Sequence, residues 1–310
     1  MEKAVYGPVA SYVRLLPLRA GAAARGALRV LSSWFCRAIW LCISVLLLTG
    51  AGARAQQASQ QVTGQPVTGQ PVPWQIGLQP PVTDVARSAQ DFHNLLLWIT
   101  GGVVVLVTVL LIVVIVRFNE RANPSPARFT HNTWLEVTWT VVPILVLAVI
   151  AVPSFRLLRA QLIIPPSDIT VKVTGHQWYW NYEYPAEQGG FTFDSVYVPD
   201  DDLTGEQPRL LAVDNEVVLP VDSTVRLQVT AADVIHGFAV PSFGIKIDAI
   251  PGRLNETWFR ADREGIYYGQ CSLICGQNHA YMPIAIRIVS AEQYAAWREE
   301  AKARFTAAGD

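Results

Sequence analysis

The chain is 310 residues long, with a formal net charge of -1, 51% hydrophobic residues and only 16% charged ones. Its length exceeds one average domain, and so few charges point to membrane segments rather than to a larger core. The absence of a basic excess excludes nucleic acid as a partner.

Residues 1–55 read as a secretory signal peptide. Arg14, Arg19, Arg25, Arg29 and Arg37 precede the apolar run Ala38 to Leu48 and the sequence Ala53-Arg54-Ala55. The run is shorter than the roughly 20 residues of a membrane span, although an extra transmembrane helix is the alternative. Cleavage after Ala55 removes Cys36 and Cys42 and leaves Cys271, Cys275 and Met282 as the mature chain's cysteines and methionine. Residues 56–81 give the unit Val-Thr-Gly-Gln-Pro twice, at 62–66 and 67–71, and read as a disordered low-complexity linker.

Residues 82–165 are expected to form a transmembrane hairpin. Leu95 to Val116 carries no charge over 22 residues, which spans about 33 Å as a helix. The helices are placed at about 95–116 and 135–156. Trp134 and Trp139 anchor the second at the interface, Pro143 predicts a kink and Pro153 an exit. Thr133-Trp-Leu-Glu136 reads as a capping box. The loop between the helices holds Arg117, Arg121 and Arg128 against Glu120, which puts it in the cytoplasm and both ends of the hairpin outside.

Residues 166–290 change to short alternating segments, among them Ile169 to Val173 and Trp178 to Tyr184. They predict an antiparallel sandwich or barrel of about 120 residues with functional loops at one end. In the aromatic segment His176, Trp178, Trp180, Tyr182 and Tyr184 are expected on one strand face and Tyr179 on the other. Ser290 and Gln293 form a capping box that opens a polar helix within 291–310.

The chemistry concentrates in Cys271-Ser-Leu-Ile-Cys275-Gly-Gln-Asn-His279-Ala-Tyr-Met282. Thiolate, imidazole and thioether together select copper. With His236 delivered from a distant loop, the donors suit two copper ions better than one, because a mononuclear blue site needs one Cys, two His and an axial Met. A disulfide and structural zinc are the alternatives, but zinc is redox-silent and has no use for a thioether. His93, His131 and His176 read as structural.

This stretch, with Asp233-Val-Ile-His236-Gly-Phe-Ala-Val-Pro-Ser, Lys246-Ile-Asp-Ala-Ile-Pro-Gly-Arg253-Leu-Asn and Gly175-His-Gln-Trp178-Tyr-Trp180-Asn-Tyr-Glu-Tyr184, closely resembles subunit II of cytochrome c oxidase over roughly residues 85 to 295. The resemblance implies a two-helix transmembrane hairpin followed by an all-β cupredoxin-like Greek-key barrel. It also implies a dinuclear copper centre, CuA, held by His236, Cys271, the backbone carbonyl of Leu273, Cys275, His279 and Met282. By the same resemblance Trp178 is the entry point for electrons from cytochrome c, and Glu136 lies at the mouth of a proton path into subunit I. The implied partners are cytochrome c, subunit I and the other oxidase subunits, at a bacterial inner membrane with the C-terminal domain in the periplasm.

Leu273 departs from the family pattern, which has Glu there. A carbonyl ligand is available from any residue, but the Glu side chain helps to hold a magnesium ion at the contact with subunit I, so the sequence implies that magnesium is missing or bound differently. Between residues 170 and 240 eleven acids face only Lys172, Arg209 and Arg226, a balance that would steer a basic partner. No Cys-x-x-Cys-His occurs, so the reductant comes from outside the chain. Alternative readings are a quinol oxidase subunit II, which lacks the copper ligands, and a membrane-tethered copper carrier.

Overall fold

The structure, a computed structural model, describes residues 67–306 apart from 126 and 206. The expected signal peptide and the first part of the expected linker lie outside the described residues. In chain order come β1 (Val67–Gly69), α1 (Asp84–Arg117), α2 (Thr133–Leu162), β2 (Ile169–His176), β3 (Tyr179–Tyr184), β4 (Phe191–Ser195) and β5 (Val217–Pro220). They are followed by β6 (Val225–Ala231), β7 (His236–Val240), β8 (Ile245–Ala249), β9 (Asn255–Phe259), β10 (Gly265–Cys271), β11 (Pro283–Val289) and α3 (Ala291–Thr306).

Both long helices outrun the apolar stretches that announce them. Nothing in Asp84 to Asn94 breaks a helix, so α1 begins as soon as a cap is available. Thr83 supplies it, accepting from the Ala86 amide at 3.0 Å while its hydroxyl donates to the Phe243 carbonyl at 2.8 Å. The polar first turns of α1 therefore rest on the β-domain. Gly244, at φ 67°, sits so close that a Cβ there would meet the Ala86 Cα at 2.7 Å. Arg87 extends the attachment with a 2.6 Å ion pair to Asp262.

In α2 the cap differs from expectation. Asn132, not Thr133, accepts from the Leu135 amide at 3.2 Å, which places Glu136 one residue past the position that closes a capping box. Glu136 is exposed in the first turn. The helix also passes through Pro153 rather than ending there and reaches Leu162. Its last turn is caught by the Trp258 indole, which donates to the Ala160 carbonyl at 3.1 Å, and Pro165-Pro166 prevents further winding. The apolar side chains of both spans stand exposed, as they must where lipid is their solvent.

The β-domain packs two sheets face to face. One has the order β5-β11-β10-β7-β8, with β1 alongside β10; the other has the order β4-β3-β2-β6-β9. The pairing is not purely antiparallel, because β2 with β6, β5 with β11 and β1 with β10 run parallel. These are partners distant in sequence, brought together by Greek-key crossovers, and alternation along a strand carries no information about its neighbour's direction. Alternation does place the core: Ile169, Val171 and Val173 of β2 and Val225, Leu227 and Val229 of β6 all point inward. Each such buried side chain contributes about 1.5–3 kcal/mol.

Residues 67–69, expected as linker, instead form β1, with Val67 opposite Gly265 and Gly69 opposite Tyr267. The repeat is a poor strand by composition, but the first residues of β10, which β7 does not reach, offer it backbone partners. At the other end of the chain, the Ser290 amide donates to the Gln293 side chain and the Gln293 amide to Ser290 Oγ, both at 3.2 Å, which is the capping box read from sequence. The helix α3 then lays Trp297 and Phe305 against Tyr184 and Phe193, with ring centroids 5.5 and 4.8 Å apart.

Candidate metal centre

Three strand ends build the site. Pairing of β7 with β10 sets Cys271 opposite Phe238, so His236, the first residue of β7, arrives beside Cys271, the last of β10. The connection from Cys271 to β11 is a hydrogen-bonded loop carrying Cys275, His279 and Met282. The Cys271 amide donates to the Met282 carbonyl at 3.3 Å, and the Ser272 amide donates to the Gly237 carbonyl at 2.9 Å.

The ligand atoms meet in a chain of short contacts. Cys271 Sγ lies 4.0 Å from His236 Nδ1, 3.2 Å from the Leu273 carbonyl oxygen and 3.8 Å from Cys275 Sγ. Cys275 Sγ in turn lies 3.5 Å from His279 Nδ1 and 3.6 Å from Met282 Sδ. The donor atoms of His236, Cys271 and Cys275 all fall within 4.8 Å of one another. Both thiols are free, and their separation is far beyond the roughly 2.05 Å of a disulfide. His236 is fully buried and Met282 is 1% exposed, whereas His279 is partly exposed.

Electrostatics divide the two thiols. Burial pushes the Cys271 thiol up, but its contacts with His236, the Gly237 and Leu273 backbone and His279 outweigh this and bring it to about 6. Burial and the neighbouring Cys271 charge push Cys275 up to about 12. A cation that binds both sulfurs replaces the Cys275 proton and removes that repulsion. His236 is depressed by burial but raised overall by Cys271 and Asp233. A soft donor set of this kind could hold copper.

Around the ligands stands a second layer. The His236 Nε2–H donates to Asp233 Oδ1 at 2.9 Å, which leaves Nδ1 facing the sulfurs. The Trp180 ring meets His236 edge-on at 5.9 Å, and its indole N–H donates to the Met282 carbonyl at 3.3 Å. Asp233 and Gln177 were not singled out by sequence reasoning. The signals available for Asp233 were its position three residues before a candidate ligand and its place at the start of a motif that carries the resemblance.

The aromatic segment is a hairpin rather than one strand: Gln177 and Trp178 form the turn between β2 and β3. Trp180, Tyr182 and Tyr184 face the core as expected. His176, however, stacks on Tyr179 at 4.6 Å, so these two share a face, because the turn restarts the alternation. Trp178 is half-buried against Gly276, where φ is 127° and a Cβ would approach the indole Cζ2 to 3.0 Å. It thus touches the residue that follows Cys275. Glu136 is not brought to this site: it begins α2, whereas the last turn of α2 contacts the β-domain, which separates the two ends by about 36 Å of helix.

The periplasmic-domain family model of cytochrome c oxidase subunit II matches residues 169–289, and the transmembrane-domain model of the same family matches residues 71–157. A probable cytochrome c oxidase subunit 2 from Rickettsia bellii is 53% identical over 225 residues, covering 73% of this chain and 83% of the relative. The cytochrome c oxidase subunit 2 of Cereibacter sphaeroides is 45% identical over 272 residues, covering 83% of this chain and 88% of the relative. The crystal structure of the periplasmic domain of the Bradyrhizobium japonicum oxidase subunit II is 58% identical, with a TM-score of 0.44, over 46% of this chain and 99% of that one.

Proposed function

The chain belongs to the cytochrome c oxidase subunit II family, and from that premise we propose that it accepts electrons from cytochrome c at a dinuclear copper centre and passes them to subunit I, where oxygen is reduced to water with proton translocation. The observation that carries this reading is the convergence of two free thiols, two imidazoles, a thioether and a carbonyl in one chain of short contacts. Bound there, a copper pair supplies a one-electron carrier. The residues hold it: His236, Cys271, Cys275, His279 and Met282 through side chains, Leu273 through its carbonyl. The surrounding β-sandwich keeps the ligands in place whichever charge the ions carry, which lowers the rearrangement that accompanies each transfer.

The half-buried indole of Trp178, in contact with Gly276, fits the role of electron entry. The acidic surface retains Asp201 and Asp202 without an ion pair among the described residues, whereas Asp200 is engaged by Arg209 at 2.5 Å. Such a face favours a cationic cytochrome c. The chain lies in a bacterial inner membrane on this reading, and the oxygen-reducing site belongs to the complex. Copper-loaded protein should show an EPR hyperfine pattern from one electron shared by two copper nuclei. A pattern from a single nucleus would return the site to a copper carrier.

Leu273 separates two roles. Its carbonyl faces Cys271, but its side chain has no oxygen to offer a hard cation. We infer that the oxidase lacks the magnesium that the family's Glu helps to hold, or binds it differently. Elemental analysis of the purified complex should find copper without stoichiometric magnesium at the subunit interface; one equivalent bound there would reject the inference.

Glu136 closes no capping box; as an acid in the first turn of α2 it suits the helix dipole, and membership of the family adds the proton-path role. Glu136→Gln is expected to slow proton-coupled turnover by about tenfold, the low end of an acid–base contribution, with the rate of copper reduction unchanged. Equal turnover in mutant and parent would remove the role.

A further inference from the structure

The turn that carries Trp178 has none of the glycine or asparagine that two-residue hairpin turns favour, and an exposed turn held by its own backbone alone would be among the first segments to open. Here it is tied from outside. The Gln177 amide donates to Asp233 Oδ2 at 2.7 Å, while Asp233 Oδ1 accepts from His236 Nε2 at 2.9 Å and from the Val234 amide at 2.6 Å. The Gln177 side-chain amide donates to the Cys275 carbonyl at 2.8 Å. The Ala232 amide donates to the Gly175 carbonyl at 3.0 Å and closes the same junction from the β6 side. One residue thus bonds to the loop of one ligand through its backbone and to the loop of two thiolates through its side chain.

We propose that Gln177 is a positioning residue for electron entry: together with Asp233 it clamps the Trp178 indole against Gly276 and keeps its distance from the thiolates constant. The proposal rests on the reading of Trp178 as the entry point. Gln177 itself touches no metal ligand's donor atom; its side-chain amide bonds to the Cys275 carbonyl and lies beside Gly276, the glycine on which the indole packs, so its effect passes through Trp178. Electron transfer falls steeply with distance, and an indole free to swing away from Gly276 spends most of its time too far out. Holding it costs no rearrangement at the moment the partner docks.

The test uses the assembled oxidase and the full chain. Gln177→Met keeps the length and the backbone bond to Asp233 but removes the donor to Cys275. Electron entry from a bound, photoreducible cytochrome c should slow by about tenfold, the order expected when a reacting group is displaced by less than an ångström. Copper content, EPR hyperfine pattern and affinity for cytochrome c should match the parent. In the metal-free full chain, amide exchange across the Gln177-Trp178 turn should quicken while exchange in β2 and β6 stays as it was. The double variant Gln177→Met/Trp178→Ala should be no slower than Trp178→Ala alone, as expected for two residues acting through one contact.

A parent-like rate in Gln177→Met, with Trp178→Ala slow, overturns the clamp and leaves the entry role standing. A parent-like rate in Trp178→Ala overturns the reading on which the clamp rests. Loss of copper in Gln177→Met also overturns the proposal, because it would make Gln177 a support of the metal site itself.

Discussion

If the centre holds two coppers as proposed, Cys275→Ser is expected to reduce the copper content to at most one ion and to abolish the shared-electron EPR pattern. Cys275 Sγ is the hub of the site: Cys271 Sγ, His279 Nδ1 and Met282 Sδ stand 3.8, 3.5 and 3.6 Å from it. A serine hydroxyl is a hard, weakly acidic donor that does not replace a bridging thiolate. Changing an outer-shell partner typically costs 10–100-fold, so removal of the hub should lower turnover by about 10²-fold or more. Folding should survive, since the loop is also held by the Cys271–Met282 and Ser272–Gly237 backbone hydrogen bonds. Met282→Leu serves as the companion variant. It keeps both thiolates and should keep two coppers with an altered reduction potential. Two coppers in Cys275→Ser, counted by metal analysis, would show that the sulfur is not shared.

Trp178→Ala should leave both coppers in place and slow electron entry from cytochrome c by roughly 10²-fold, the scale on which misplacing one reacting partner acts. The argument is positional. The indole occupies the turn between β2 and β3, packs on Gly276 and lies one residue from Cys275. Removing it opens a gap beside Gly276 in the loop that carries the thiols. Raising the salt concentration should weaken cytochrome c binding equally in parent and mutant, because the acidic face is untouched. Rapid reduction of the copper by cytochrome c in the mutant would assign entry to another group.

Different physical scales explain which features were legible in the sequence. The membrane hairpin was visible because a span must be apolar for about 20 residues, a signal that no tertiary context reverses. Its ends were not: α1 starts at Asp84 because Thr83 finds the Phe243 carbonyl, a contact made across the fold. The same holds for the cap of α2, where Asn132 and Thr133 are both competent and the backbone geometry selects Asn132. The capping box of α3 was legible because both partners are local. β1 was invisible because its stability comes from the edge of β10.

At the metal centre, spacing and residue type alone determined the chemistry. Two cysteines four residues apart, a histidine and a methionine in one short stretch are a soft donor set that suits copper, and their pattern carried the family with it. Tertiary structure decided what surrounds those ligands. Pairing of β7 with β10 delivered His236, the separation of the sulfurs excluded a disulfide, and packing of distant loops joined Asp233 to His236 and Gln177 to Cys275. Ligand identity is a property of side chains, which sequence displays directly. Orientation, burial and the second layer of hydrogen bonds are properties of neighbours, and neighbours are assigned only when the chain folds.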